Sequence, residues 1–404
     1  MEKRWEIAEY AYKNCAMYNQ LIEKFSGLSW EELPIIEKDT ILHSDYIIAN
    51  DYLVKDYNDE LINLFTSGST GHCLNVKWDK ADANRSLSKL WFLRYFKFGV
   101  LPHDKYCYFF NSSLANVNNG YINKFDYALG IYSGLLVGEE IANVYMKMIE
   151  FSPKWLLIQP SIASLLCFAK EKYGLPEFPN LVYIELVGEM HSLEQASRIS
   201  KIFNCPTRSQ YGTYEVFSIA YECSAHMLHV DTNNVYVEIV SEEGKVLADG
   251  EEGDVIVTSL NNYAMPFIRY NTGDKGRMWR KFKCVCGKRE AVLQLSSGRS
   301  SDMIIMSNGN KLTAYTFFRI FMDVNSFIDN AVYQYQVEQI DINEFIIRIV
   351  IDKEINERQI VDCFFRCMNE PLLEEAKFKF EFLDYLPVDS VTGKTKCFLS
   401  NIKK

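Results

Sequence analysis

Apolar positions change period twice along the chain. Trp5, Ala8, Tyr12 and Cys15 recur at three- and four-residue spacing, which predicts an amphipathic helix. The loop around Leu33-Pro34 leads into another helix, so residues 1–60 read as a cap on a larger domain. The apolar run at Leu64 reads as a strand that ends abruptly in small residues. Asn75 to Trp78 reads as a second short strand and Ala81 to Phe98 as a helix. In that helix Trp91, Arg94, Tyr95 and Phe98 fall at i, i+3, i+4 and i+7 and predict a core-facing side. From Lys105 the short runs YCYFF, GLLVG, WLLIQP and LVYIELVG are separated by helical stretches such as SIASLLCFAKEKYG. That alternation predicts βαβ units and a largely parallel sheet. The strands VYVEIV and DVIVTSL follow, with a turn at Glu251 to Gly253 between them. Beyond Gly309 the order is β–α–β–β–α–β, with strands near AVYQYQVEQ, FIIRIVID and KFKFEFL and helices near AYTFFRIFM and ERQIVDCFFRCM. The expected fold is α/β: a large N-terminal domain of mixed sheets and flanking helices, residues 1–301, and a small mobile α+β domain, residues 302–404.

With 404 residues the chain exceeds what one core usually holds, which agrees with that division. A net charge of −10 argues against phosphate-backbone binding as a primary role, so no nucleic-acid partner is expected. The start, MEKRWEIAEYAYKN, lacks the apolar core of a secretion signal, and no window offers a long uncharged run. A cytoplasmic location without a membrane partner is expected. The 11 cysteines are odd in number and mostly scattered singly, unlike a disulfide framework.

Candidate chemistry begins with LFTSGSTG, Leu64 to Gly71. Gly68 and Gly71 let main-chain N–H groups converge on an anion, and Thr66, Ser67, Ser69 and Thr70 add short hydroxyl donors. His72 and Cys73 follow, so this is not the ATPase loop that ends in Gly-Lys-Ser/Thr; a Ser/Gly-rich surface turn has the same composition. Asp274 in Thr272-Gly273-Asp274 could accept two hydrogen bonds from a sugar diol, although the tripeptide is also ordinary turn chemistry. Cys284 and Cys286, with Cys223 and either His226 or His229, supply the donor types of a closed tetrahedral zinc site; reduced core thiols are the alternative.

The ordered segments LFTSGSTG, LVGE, QYGTYE, IRYNTGD, SGRSSD and LPVDSVTGKTK resemble the motif series of the adenylate-forming superfamily of acyl-CoA synthetases, adenylation domains and luciferases. HMLHVDTNNVYVEIV, LADGEEGDVIVTSL, AMPFIRYNTGD and GRSSDMIIM are most similar to its phenylacetate–CoA ligase-like subgroup. The resemblance implies activation of a carboxylic acid by ATP as an acyl-adenylate, pyrophosphate release, and transfer of the acyl group to a thiol. It places Thr66 to Gly71 on the β- and γ-phosphates, Glu215 on Mg²⁺, Tyr211 and Gly212 beside the adenine and α-phosphate, and Gly188 and Glu189 along the adenine. Asp274 would take the ribose hydroxyls and Arg299 the same sugar or a phosphate. Lys394 would neutralise charge between the attacking carboxylate and the α-phosphate, with Asp302 at the hinge of the moving C-terminal domain. The subgroup's structural zinc selects His229, in LHVD, with Cys223, Cys284 and Cys286.

The chain departs from the family at two places. His72-Cys73-Leu74 removes the usual loop lysine, leaving Lys77 as a distant substitute, and Tyr214 stands where a Thr or Ser hydroxyl precedes the glutamate, so that either the backbone shifts or Thr213 supplies the donor. The acid pocket would draw on residues 111–134, where Tyr121, Phe125, Tyr127 and Tyr132 offer bulky rings for an aromatic or a smaller acid, with core packing as the alternative use of any one ring. Coenzyme A is the first reading of the acceptor; a carrier-protein thiol or an amine shares the same adenylation. A degenerate nucleotide-binding protein is the reading from another class, and assembly as a homodimer is compatible with the family.

Overall fold

The structure is a computed structural model that describes residues 2–404 apart from 45–46, 67–73, 111–121, 134–135, 137–139, 298–302, 307–310, 314, 329–330, 352–354, 369, 371–372, 374, 387–396 and 403–404. Two compact units arise from interleaved stretches of chain: residues 1–102 with 208–296, and 103–207 with 297–404.

In the first unit, strands follow the spatial order Val235–Val240, Gly253–Ser259, Tyr270–Trp279, Val292–Ser297, Leu228–Val230, Phe217–Glu222, Thr207–Thr213. Val235–Val240 and Gly253–Ser259 pair antiparallel, as do Thr207–Thr213 and Phe217–Glu222. Thr272-Gly273-Asp274 is not a turn. It lies inside the ten-residue strand Tyr270–Trp279, where the register against Gly253–Ser259 shifts between Asp254 and Ile256 and Gly273 takes φ +78°. Turn-type residues here serve a bulge, which kinks a strand without ending it. The N-terminal helices Lys3–Asn14 and Ala16–Leu21 bury Ile7, Ala8, Ala11, Met17 and Tyr18 in the same core as Val237, Val257 and Phe267.

Helix Lys80–Phe98 starts where the Asp79 carboxylate accepts from Ala81 N and stops where Gly99 turns left-handed. Its buried side is Asp82, Ala83, Ser86, Leu90 and Arg94, whereas Tyr95, Phe92 and Phe96 are exposed. The core face expected from Trp91, Arg94, Tyr95 and Phe98 is therefore rotated. Buried polar partners hold the inner side, with Ser86 donating to Asn234 Oδ1 at 2.5 Å and Tyr263 N donating to Asp82 Oδ2 at 3.1 Å, and hydropathy does not register such contacts.

In the second unit, Tyr183–Val187, Trp155–Ile158, Tyr106–Phe110 and Ala128–Tyr132 run parallel in that order, and Ile122–Lys124 adds an antiparallel edge. Helices Glu140–Phe151, Pro160–Tyr173 and Leu193–Phe203 supply much of their apolar cover. A separate core holds the C-terminal layer, where strands follow the order Lys377–Phe382, Glu344–Ile351, Val332–Asp341, Phe398–Ser400. Helices Tyr315–Phe327 and Glu357–Cys367 pack into that core through Phe317, Phe321, Ile360 and Phe364. The fold is thus α/β with mixed sheets and flanking helices, ending in a small α+β layer. No helix among the described residues is long and apolar enough to cross a membrane.

Candidate functional site

Two segments far apart in sequence meet in the first unit. The strand Thr207–Thr213 ends in a tight turn that presents Glu215, and the chain returns along Phe217–Glu222. The turn needs glycine at position 212: a Cβ there would lie 2.2 Å from the Phe217 carbonyl oxygen. Phe217 itself adopts φ +56°, a conformation costly for a bulky residue. Four contacts hold it. Asn234 Nδ2 donates to Val216 O and Ser218 O, both at 2.7 Å. Trp78 Nε1 donates to Tyr214 O at 2.9 Å, and the Trp78 and Phe217 rings meet at 4.3 Å.

On this frame the Glu215 carboxylate is buried and accepts from Tyr270 OH at 2.9 Å. Tyr211 OH donates to Asp274 Oδ2 at 2.7 Å. Thr213 Oγ1 is buried and, among the described residues, has no hydrogen-bond partner, whereas Tyr214 is exposed. The hydroxyl enclosed beside Glu215 is therefore that of Thr213. Asp274 is held by its own strand, its N–H donating to Thr272 Oγ1, which in turn donates to Val255 O.

A buried ion pair anchors the strand that carries Tyr270 and Asp274. Arg269 donates through Nε to Glu238 Oε2 at 3.3 Å, and its Nη2 lies 3.2 Å from Glu238 Oε1. Its Nη1 reaches the carbonyls of Glu31 and Leu33, and Trp30 Nε1 donates to Glu238 Oε2. Ile36 pairs with the same strand, accepting from Asn271 N at 2.9 Å and donating to Arg269 O at 3.0 Å. The N-terminal cap is thus stitched to the strand immediately before Asp274.

Strands Ile62–Phe65 and Asn75–Trp78 pair antiparallel and carry the glycine-rich loop between them. Thr66 closes its base: its N–H donates to Leu74 O and its Oγ1 accepts from Leu74 N, both at 2.9 Å. Lys77, the distant substitute for the loop lysine, pairs with Asp56 at 2.8 Å. Ser67, Gly68, Ser69, Thr70, Gly71, Arg299, Asp302 and Lys394 lie outside the described residues. In the second unit Gly188 takes φ +78°, and the Glu189 carboxylate accepts from Ser161 N and Oγ in the first turn of helix Pro160–Tyr173. Of the rings expected at the acid pocket, Phe125 and Tyr127 are exposed at a hairpin end, Tyr132 is half-buried, and Tyr121 is outside the described residues.

The first unit also gathers Cys223, His229, Cys284 and Cys286, whose ligand atoms all lie within 4.8 Å of one another. Cys223 Sγ and Cys284 Sγ are 3.7 Å apart, and Cys286 Sγ and His229 Nε2 are 3.4 Å apart. Such separations suit the edges of a tetrahedron with bonds of about 2.3 Å to sulfur and about 2.0 Å to nitrogen. Gly287, at φ +87°, closes the Cys284–Cys286 turn by donating to Cys284 O. His226, the competing imidazole, turns instead to the Glu222 carboxylate. Burial, reinforced by Lys288, lowers the His229 pKa and favours the neutral ring that a metal needs.

Tyr270, Asn234, Trp78 and the Glu238–Arg269 pair were not singled out from sequence. One signal was available: Tyr211 precedes Glu215 by the same interval at which Tyr270 precedes Asp274.

A family model described as the CapK C-terminal domain matches residues 304–401. Across 98% of this chain and 88% of its own length, protein CapK of Staphylococcus aureus is 24% identical. Phenylacetate–coenzyme A ligase of Thermus thermophilus is 25% identical over 76% of this chain and 71% of its own length. Among solved structures, a 2-hydroxyisobutyryl-CoA ligase in its postadenylation state superposes with a TM-score of 0.75 at 15% identity, covering 99% of this chain and 88% of that one.

Proposed function

We propose, from the premise that this chain belongs to the adenylate-forming superfamily in its phenylacetate–CoA ligase-like subgroup, that it activates a carboxylic acid with ATP and passes the acyl group to a thiol. One observation carries the reading. Glu215 and Asp274, the carboxylates needed by a metal–phosphate group and by a ribose, lie on segments joined by two direct side-chain hydrogen bonds.

In this reading the substrate carboxylate attacks the α-phosphorus of ATP, the bond to the β-phosphate oxygen breaks, and pyrophosphate leaves with the electron pair. The thiolate of the acceptor then attacks the acyl carbon and AMP departs. No protein nucleophile is required, so the chain's work is positioning and charge stabilisation. Thr66 to Gly71 cradle the outer phosphates, Tyr211 and Gly212 line the base and α-phosphate, Gly188 and Glu189 flank the adenine, Asp274 takes the ribose diol, and Arg299 adds a cationic fork. Thr213 Oγ1 offers its hydroxyl to the α-phosphate. Glu215 would hold Mg²⁺, a hard cation suited to a buried carboxylate, which when bound neutralises phosphate charge. Lys394 enters from the smaller domain, residues 302–404, which turns about Asp302 between the two half-reactions. Cys223, His229, Cys284 and Cys286 would hold a structural zinc that cross-links two hairpins and takes no part in the chemistry.

The test is acid-dependent exchange of labelled pyrophosphate into ATP across a panel of aromatic and small aliphatic acids, followed by addition of CoA to the best acid. Exchange followed by thioester formation is the expected result. Exchange without thioester moves the acceptor to a carrier-protein thiol or an amine. Tight ATP binding with no exchange for any acid overturns the ligase reading in favour of a non-catalytic nucleotide-binding protein.

A further inference from the structure

The two nucleotide-site segments share a form: Tyr211 with Glu215, and Tyr270 with Asp274. Within each segment the tyrosine and the carboxylate stand four positions apart, across the start of a turn in the first and across a strand irregularity in the second. Each ring instead serves the opposite segment, Tyr211 OH donating to Asp274 Oδ2 at 2.7 Å and Tyr270 OH donating to Glu215 Oε1 at 2.9 Å. We infer that these crossed hydrogen bonds make Tyr270 and Tyr211 positioning residues, Tyr270 orienting Glu215 for the metal–phosphate group and Tyr211 orienting Asp274 for the ribose. This inference rests on the adenylation reaction proposed above.

The choice of donor is the physical point. A buried carboxylate needs a hydrogen-bond partner, and Glu215 and Tyr270 are 6% and 3% exposed. Lysine or arginine would satisfy it but would also cancel the charge that a divalent cation requires. A phenol is a neutral donor: it fixes one oxygen of the carboxylate in space and leaves the negative charge in place. Tyr270 is itself fixed, its ring edge-on to Phe267 at 5.2 Å and its preceding residue tied to the N-terminal cap through Glu31 and Leu33. Loss of an outer partner of this kind typically costs about 10- to 100-fold in metal affinity.

The experiment compares the full chain with Tyr270→Phe and Tyr211→Phe, substitutions that keep the ring and remove the hydroxyl. Pyrophosphate exchange is measured against Mg²⁺ concentration, and with ATP against 2′-deoxy-ATP. Tyr270→Phe should raise the Mg²⁺ midpoint about tenfold or more, with the rate largely recovered at saturating Mg²⁺. Adding Tyr270→Phe to Glu215→Gln should shift the midpoint no further, because the partner is already lost. Tyr211→Phe should leave the Mg²⁺ midpoint unmoved and shrink the preference for ATP over its deoxy analogue. Loss of thermal stability with an unchanged midpoint and an unchanged ribose preference makes both rings merely structural and overturns the inference while the adenylation reading stands. A parent protein with no acid-dependent exchange overturns both together.

Discussion

The strand Phe217–Glu222 has a different chemistry at each end. Before its start lies Glu215, held by Tyr270; after its finish lies Cys223, facing Cys284. Both ends are buried, so burial alone does not tell their uses apart. The oxygen-bearing end is a set of acceptors held by phenols on neighbouring segments. At the sulfur-bearing end four donors face one another across less than 5 Å, which leaves room for an ion and nothing more. On the proposed reading, one strand thus joins a place that exchanges its occupant to a place that keeps it, and donor geometry separates the two roles.

Arg269→Met attacks the oxygen-bearing side hardest. It strands the Glu238 carboxylate in the core, and urea unfolding should show a loss of about 3–5 kcal/mol, partly restored by adding Glu238→Leu. Metal content at low temperature should not change. Lys394→Ala should cut pyrophosphate exchange by about a hundredfold or more while ATP binding, followed by calorimetry, persists; unchanged exchange would shift the role to Lys396. Cys284→Ser should do the reverse. Elemental analysis should find the zinc lost and the melting temperature lowered by on the order of 5 °C, with exchange per folded molecule near the parent's. Parent protein purified without chelator yet free of zinc would remove the closed-site half of the contrast. The finest distinction is between neighbours: Thr213→Ala should slow exchange about tenfold or more, whereas Tyr214→Thr should cost nothing. Equal losses at both positions would return the hydroxyl role to the turn as a whole.

Much of the architecture was legible because its signals are local. The helix Lys80–Phe98 has a carboxylate cap and a terminal glycine, and YCYFF and WLLI are parallel strands that read as continuous apolar runs. The C-terminal β–α–β–β–α–β order is present as expected: its first strand, Lys311–Thr313, pairs in a hairpin with Met303–Ile305, and the short strand Phe398–Ser400 follows at its end. What sequence could not supply was pairing between distant polar residues. Glu238 in VYVEIV alternates like a solvent-facing position yet is buried against Arg269, and Tyr270 reads as one more apolar strand residue until Glu215 is seen beneath its hydroxyl. Thr272-Gly273-Asp274 carries turn chemistry, and only its neighbouring strands turn that chemistry into a bulge. The family resemblance singled out Glu215 and Asp274 as candidates, but motifs are silent about what holds such residues.

The grip of Arg269 on the Glu31 and Leu33 carbonyls bears on how the chain matures during synthesis. The helices Lys3–Asn14 and Ala16–Leu21 are made well before the guanidinium and carboxylate that tie down residues 30–33, which follow more than two hundred positions later. Until then Ile7, Ala11 and Tyr18 have no completed core to enter, which leaves apolar surface exposed on the ribosome. Removing the first forty residues should therefore yield an insoluble product, not a trimmed and active one.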